Sequence, residues 1–380
     1  MSRDLLVLAA FATICLILVP FFKDTTVNKH TEYTEYTEDH SPLAISTSYT
    51  ATTIKTNNPK KIILLSDTFL PGSFAGSEIT AYEIMKYLRD RGHTLIVFIR
   101  EPKVKEYDGF KIYRYDTEDP FFKREVLNAD FIFFQMKDDA INFKIIEDRT
   151  KPIYILIHVV NCYHWLLPQK VKFPVSVIYN SRMTQDTLPT IHDNMRMIPY
   201  VNTKVFYSLR DYTVQNNVVC LINCNKNKGS SQFYEMVNAL KNVQFIGVKG
   251  GYAKQDLLNP VPSNLTYMEN QKDVKVIFKQ IGILVMPSKN ETWGRTAVEA
   301  MASGIPVLHS EAGGLAECVG GAGILCQRDD IGAWCDGINR IINDPAYRER
   351  LRQKGFKRVS EIEREQIRGR QELAIKIENR

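Results

Sequence analysis

From Pro287 to Glu317 the chain reads PSKNETWGRTAVEAMASGIPVLHSEAGGLAE, and two of its glutamates, Glu291 and Glu299, stand with seven residues between them. An aliphatic run, Ile283–Met286, ends at Pro287, so the polar loop after it carries Glu291 to the carboxyl end of a strand. Gly294 permits close backbone approach where a helix begins, and the free N–H groups of a helix start form a cradle for a diphosphate. Glu299, further along that helix, can accept hydrogen bonds from sugar or ribose hydroxyls. Gly304-Ile-Pro306 then ends the helix and opens the next strand. A plainer reading stands beside this one, with Glu291 as a helix-cap anion and Glu299 as a solvated surface residue.

The elements that must hold these groups follow an alternating pattern. Ile62–Leu65 is a continuous aliphatic run, as expected of a strand covered on both faces of a parallel sheet. A glycine-containing loop (Pro71, Gly72, Gly76) and a helical pattern from about Ser77 to Arg89 follow it, with Ile79, Ile84, Tyr87 and Leu88 as the apolar face. Strand-like runs recur at Leu95–Ile99, Phe131–Phe134, Ile153–His158 and Val175–Tyr179. The pattern restarts at Val218–Ile222, with a polar loop from Asn223 to Lys228, a helix over Ser231–Leu240, and strands near Val243–Ile246, Ile283–Met286 and Pro306–His309. Two such halves predict an α/β protein of two doubly wound, Rossmann-like domains, with a ligand in the cleft between them. The expected boundaries are 60–201 for the first domain, 202–215 for a linker and 216–360 for the second domain; a charged terminal helix over 361–380 follows.

The 380 residues suit two such domains, and a net charge of +6 without a basic run excludes an evident nucleic-acid footprint. The seven cysteines include no Cys-x-x-Cys pair and no zinc-ligand spacing, so they read as reduced structural thiols. Leu5–Phe22 carries no charge and at about 1.5 Å per residue spans about 27 Å, close to the hydrocarbon thickness of a bilayer. Residues 1–22 are therefore expected to be a single-pass membrane anchor. A cleaved signal peptide is the rival, but Pro20, Phe21, Phe22 and Lys23 follow the run instead of small residues. Residues 23–59, with the repeat TEYTEYTED, hold few aliphatic groups and are expected to be a disordered stem. Charges flanking the apolar run do not assign a side of the membrane. Asn264-Leu-Thr and Asn290-Glu-Thr are formal glycosylation acceptors, the second directly against Glu291.

Glu291-Thr-Trp293-Gly294 followed by Glu299-Ala-Met-Ala-Ser-Gly304-Ile-Pro306-Val307 closely resembles family 4 of the glycosyltransferases, retaining enzymes of the GT-B fold, in which two Rossmann-like domains face across a cleft. The likeness continues through Gly313-Gly314-Leu-Ala-Glu317 to Asn343-Asp344-Pro345 and covers Lys60 to roughly Val359. It implies transfer of a sugar from a nucleoside diphosphate sugar to a hydroxyl of a glycan, lipid or protein acceptor. By resemblance Glu291 contacts the donor sugar, Glu299 the ribose hydroxyls, and the backbone around Thr292, Trp293 and Gly294 the diphosphate. Asn223–Gly229 resembles a loop in which an arginine and a lysine neutralise the phosphates; Lys228 is retained, while Asn223 stands at the arginine position and leaves Lys226 as a substitute base. Ala75-Gly76-Ser77-Glu78 stands where a Gly-Gly-x-Glu loop is usual; Ala75 replaces the first glycine, so the backbone there is expected to approach the donor less closely, and the resemblance places Gly76 among the residues that bind the nucleotide sugar. Arg91-Gly92-His93 matches a structural helix end, and His158, with His164 as competitor, corresponds to a histidine that lines the sugar site. The implied catalytic set is Glu291, His158 and Lys228. No metal or other cofactor is expected, since no Asp-x-Asp motif is present and the fold does not usually require one. In this fold a terminal helix often crosses back to the first domain. An epimerase of the same fold and a catalytically weakened binding protein are the alternatives.

Overall fold

Parallel strands covered on both faces are apolar along most of their length, and the central strands of the first lobe obey this. The structure, a computed structural model, describes residues 54–73, 75–135, 151–158, 175–187, 193–211, 216–250, 254–271 and 273–380. All of these belong to one compact unit, Thr52–Arg380. The anchor expected at Leu5–Phe22 and the stem up to residue 53 lie outside the described residues. Among the described residues no helix is long and apolar enough to cross a membrane. The end of the expected stem is tied to the folded body: Thr56 N donates to Arg91 O at 2.8 Å, and Asn58 Nδ2 donates to Glu378 O at 2.8 Å.

In the first lobe, β1 (Lys61–Ser66), β2 (Thr94–Ile99), β3 (Glu106–Tyr107), β4 (Phe110–Arg114), β5 (Phe131–Gln135), β6 (Ile153–Ile157), β7 (Val175–Tyr179) and β8 (Asp193–Arg196) form a sheet in the order β3-β4-β2-β1-β5-β6-β7-β8. All neighbours are parallel except the β3–β4 hairpin, which turns at Asp108-Gly109 with φ of 48° and 76°. Asp-Gly suits a turn that needs two left-handed residues. Helix α1 (Gly76–Asp90) buries Thr80, Ala81, Ile84, Met85 and Leu88; Ile79 and Tyr87, expected on that face, are half-buried at its margin. Helix α2 (Pro120–Asn128) starts on an Asp119 side chain that accepts from Phe121 N at 2.9 Å, with proline in the first turn. A short α3 (Arg182–Thr187) follows β7.

In the second lobe, β9 (Val219–Ile222), β10 (Phe245–Val248), β11 (Leu265–Met268), β12 (Ile283–Met286), β13 (Val307–His309) and β14 (Ile324–Leu325) form a parallel sheet in the order β11-β10-β9-β12-β13-β14. Its helices are α4 (Ser230–Ala239), α5 (Lys275–Phe278), α6 (Arg295–Ala302), α7 (Gly314–Val319) and α8 (Ile331–Asn343). In both sheets the strand order reverses beside the first strand, between β1 and β5 and between β9 and β12. Such switch points open a crevice at the carboxyl ends of the strands, where ligands bind in doubly wound folds.

The segment expected as a linker, 202–215, contains a 3-10 turn (Thr203–Leu209) whose Phe206 and Leu209 are buried in the second lobe's core; residues 212–215 lie outside the described residues. The charged stretch expected as a separate helix over 361–380 is the second half of one long helix, α9 (Pro345–Glu378). It buries Leu351, Val359 and Ile362 in the second lobe and Leu373, Ala374 and Ile377 against the first. Its end is held by Arg91, whose Nε and Nη2 donate to the two Glu378 carboxylate oxygens at 2.6 and 2.7 Å, with His93 Nε2 3.3 Å from the same group. Lys60 N donates to His93 Nδ1 at 3.0 Å. The Arg-Gly-His end of α1 is thus the dock for the helix that returns from the second lobe.

Candidate active site

At the second lobe's switch point two loops lie face to face. The loop after β9 winds through a 3-10 turn (Lys226–Lys228), whose Lys228 N donates to the Asn225 side chain at 3.0 Å. Gly229 then takes φ 87° so close to the facing loop that a Cβ there would lie 2.2 Å from Pro287 O. Lys289 N donates to Asn227 O at 2.7 Å and Asn227 Nδ2 to Asn290 O at 3.2 Å, which fastens the two loops together. This packing brings the Lys228 ammonium into a direct ion pair with the Glu291 carboxylate, both largely buried. The helix-cap alternative for Glu291 does not hold: α6 begins at Gly294 (φ 123°), without a side-chain cap. Among the described residues no side-chain cap closes its first turn, an arrangement that suits a cradle for anionic oxygens.

The loop before α7 completes this corner. Gly314 N donates to Glu291 O at 2.8 Å, and a Cβ on Gly314 would fall 2.0 Å from Thr292 O. Trp293 is buried in the second lobe's core, where its indole Nε1 has no hydrogen-bond partner among the described residues; its side chain therefore serves packing, and its backbone is what it offers to the cleft.

Glu299 is not the solvated surface residue of the plainer reading. It is 7% exposed, and Arg295 Nε donates to its Oε1 at 2.8 Å. Burial raises its pKa and the Arg295 guanidinium opposes that shift. Arg295 Nη1 also donates to Tyr200 O at 2.9 Å. Gly76, at the exposed start of α1, faces Arg295 across the lobes, with 3.9 Å between a Cβ placed there and Arg295 Cδ. Asn223 stands at φ 71° with its side chain turned inward, where Oδ1 accepts from Asn225 Nδ2 at 2.7 Å and from Gln255 Nε2 at 3.0 Å. Lys226 is exposed.

His158 follows β6 in the first lobe. Its Nε2 lies 2.8 Å from Gln135 Oε1, and its carbonyl accepts from Asn180 Nδ2 at 3.5 Å. His164 lies outside the described residues. Surrounding protein depresses the His158 pKa to about 4, with the Glu78 carboxylate pulling weakly the other way. A folded pKa below the ordinary 6.5 means that the folded state binds fewer protons than the unfolded chain between those values. The contribution of neutral His158 is present above pH 6.5 and is lost as pH falls toward 4. In an NMR titration its imidazole signals are expected to stay unshifted from pH 8 to pH 5.5; a midpoint near 6.5 would show an unperturbed ring.

Asn180 also reaches the second lobe, donating to Thr292 Oγ1 at 3.2 Å. Beside it the Glu317 carboxylate of α7 accepts from Arg182 N at 2.7 Å and from Arg196 Nη1 at 2.8 Å. Gln135, Asn180, Arg196 and Arg295 escaped the sequence reading. Only Arg295 carried a local signal, its helical i, i+4 spacing from Glu299. Of the two sequons, Asn264 is closed to modification in the folded chain, because its buried Nδ2 donates to the carbonyls of Val237, Leu240 and Val243 at 3.0 to 3.2 Å. Asn290 is exposed beside Asn227. Among the described residues no three His, Cys, Asp or Glu side chains come together to hold a metal ion.

Known proteins share both the fold and the second lobe. Sucrose-phosphate synthase from Thermosynechococcus elongatus superposes with a TM-score of 0.64 at 17% identity, over 80% of this chain and 95% of that one. Anabaena HepE, solved in complex with UDP, gives 0.65 at 16% identity over 84% and 100%. At such identities the likeness establishes a two-lobed, GT-B-like fold. D-inositol 3-phosphate glycosyltransferase of Nocardia farcinica is 30% identical over 104 residues, 26% of this chain and 22% of that protein. The alignment thus spans less than a quarter of that relative's length. Residues 213–358, which contain the facing loops, the Lys228–Glu291 pair and the uncapped start of α6, match the family model described as glycosyl transferases group 1. Through that second lobe the chain is similar to the glycosyl transferases group 1.

Proposed function

We propose that this protein is a glycosyltransferase that moves a sugar from a nucleoside diphosphate sugar to an acceptor hydroxyl, with retention of anomeric configuration. The observation that carries this reading is the meeting of Lys228 and Glu291 beside the uncapped start of α6, at the switch point of the second sheet. In the reaction the bond from the anomeric carbon to the diphosphate breaks, the acceptor oxygen bonds to that carbon, and the acceptor's proton leaves with the released nucleoside diphosphate. Lys228 and the first-turn amides of α6 stabilise the charge growing on the departing diphosphate. Glu291, released from Lys228 when phosphate takes its place, turns to the sugar hydroxyls. Glu299, held in place by the Arg295 hydrogen bond, receives the ribose hydroxyls. Neutral His158 lines the sugar end as a hydrogen-bonding group.

Incubation with labelled UDP-, GDP- and ADP-sugars tests the reaction, and UDP-glucose comes first because a structural neighbour was solved with UDP. Transfer or slow donor hydrolysis is expected. Tight nucleotide binding without turnover would favour a binding protein, the reading that the uncharged Asn223 motivates. Glu299→Ala removes a charge-assisted hydrogen-bond acceptor worth about 1.5–3 kcal/mol, so calorimetry should show UDP affinity falling roughly tenfold or more. Unchanged affinity would remove the ribose role. The apolar Leu5–Phe22 run supports a membrane tether for the body, read by whether carbonate washing leaves the full chain with the membrane.

A further inference from the structure

Where β7 runs into α3, the first lobe rests on the Glu291 loop and the start of α7 through three contacts. Asn180 Nδ2 donates to Thr292 Oγ1 at 3.2 Å, and Arg182 N donates to Glu317 Oε2 at 2.7 Å. Met183 lies against Gly313, where an added Cβ would fall 2.7 Å from Met183 Cε. The three differ in how much they fix. Glu317 and its second partner, Arg196, are both partly exposed, so water weakens that pair. Methionine is unbranched and adapts its shape to its neighbours. Asn180 is 5% exposed, and its hydrogen bonds have direction.

Both ends of the Asn180 amide are committed. Within the first lobe its Oδ1 accepts from Thr184 Oγ1 at 3.0 Å and from Ser181 Oγ at 3.5 Å. Its Nδ2 reaches His158 O at 3.5 Å as well as the Thr292 hydroxyl. A carbonyl oxygen only accepts, so His158 fixes which end of the amide faces the second lobe. One buried side chain thereby joins the backbone at the end of β6 to the loop that carries Glu291.

We propose that Asn180 is a positioning residue: it seats His158 and the end of β6 against the Glu291 loop, and so sets the first lobe's side of the reacting centre relative to the sugar held by the second. The proposal rests on reading this site as that of a glycosyltransferase. It assigns binding and chemistry to different lobes. Lys228, Glu299 and the start of α6, which take the nucleotide, all stand on the second lobe and have partners other than Asn180. The contribution of His158 depends instead on where the first lobe sits, and a displacement of about 1 Å costs about 10²-fold in rate for a group that must meet reacting atoms.

Asn180→Leu nearly keeps the volume and removes both donors. With labelled UDP-glucose, GDP-mannose and ADP-glucose as donors, its kcat for transfer or donor hydrolysis is expected to fall by about 10–10²-fold. Affinity for the matching nucleoside diphosphate, read by calorimetry, should stay within about twofold of wild type. Thr292→Val removes the same bond from the other lobe and should lower kcat alike, with the double variant no worse than either. In a His158→Ala background Asn180→Leu should add little, as expected of a residue that acts through His158. Urea midpoints of the two single variants and the double variant, without nucleotide, should likewise be non-additive. A kcat within about threefold of wild type, affinity falling in step with kcat, an undiminished effect in the His158→Ala background, or additivity with Thr292→Val would overturn the proposal. If the wild type turns over no donor, the glycosyltransferase reading fails by itself and the urea midpoints decide: additive values overturn the seat between the lobes, and coupled values uphold it.

Discussion

Replacing Lys228 with methionine is expected to lower kcat for sugar transfer by about 10²–10³-fold, the usual cost of removing one preorganised group that meets developing negative charge. The geometry makes Lys228 hard to replace. Asn223, on the same loop, is uncharged and committed to Asn225 and Gln255, and Lys226 is exposed. The ion pair with Glu291 adds a second readout, because the two side chains hold each other before donor arrives. In a double-mutant cycle with Glu291→Gln, donor affinity and kcat should be clearly non-additive, as expected of groups in direct contact. Discrimination between UDP and uridine should also collapse in Lys228→Met. A kcat within threefold of wild type, or strict additivity, would remove the leaving-group role.

Gly229→Val is expected to destabilise the chain by about 2–5 kcal/mol, the sum of a left-handed conformation in a residue with a side chain and overpacking against a neighbour. The neighbour is backbone: the first added carbon would meet Pro287 O at 2.2 Å and Pro287 Cγ at 2.7 Å, so no side-chain rotation relieves it. The only relief is separation of the two loops, which pulls Lys228 from Glu291. Activity should therefore fall more than stability alone explains. Gly321 is the natural control, with φ 78° and nothing within 4 Å of an added Cβ, so Gly321→Val shows conformational strain without collision. Urea denaturation of the two variants should differ by 1 kcal/mol or more; equal midpoints would mean that the loops are not tightly apposed at Gly229.

The elements most visible in the sequence were those with a strong local cause. β1, β5, β6 and β7 are continuous apolar runs because both their faces are covered, and such runs announce themselves. The expected strand near Val243–Ile246 instead spans Phe245–Val248, within the usual uncertainty of a strand boundary. The edge strands β3, β11 and β14 went unread because short, partly exposed segments such as Leu265–Met268 have no distinctive period. The Asp-Gly hairpin and the Asp-Pro start of α2 did carry local signals. So did the Asp-Pro start of α9, where the Asp344 side chain accepts from Tyr347 N at 2.8 Å.

By itself the sequence determined the alternating α/β pattern, the two halves, and the segment whose glutamates, glycines and helix start lie at the switch point of the second sheet. These follow from local spacing, since periodic burial, turn chemistry and a helix terminus each act over a few neighbouring residues. Tertiary structure alone decided which groups meet. Lys228 and Glu291 are 63 residues apart, Asn180 and Thr292 are 112, and Arg196 and Glu317 are 121. No local rule places such pairs; they form because two strand ends are adjacent in a reversed sheet order and because α9 binds one lobe to the other. The charged contacts between the lobes have the same origin, with Arg196 supplied by the first half and Glu317 by the second.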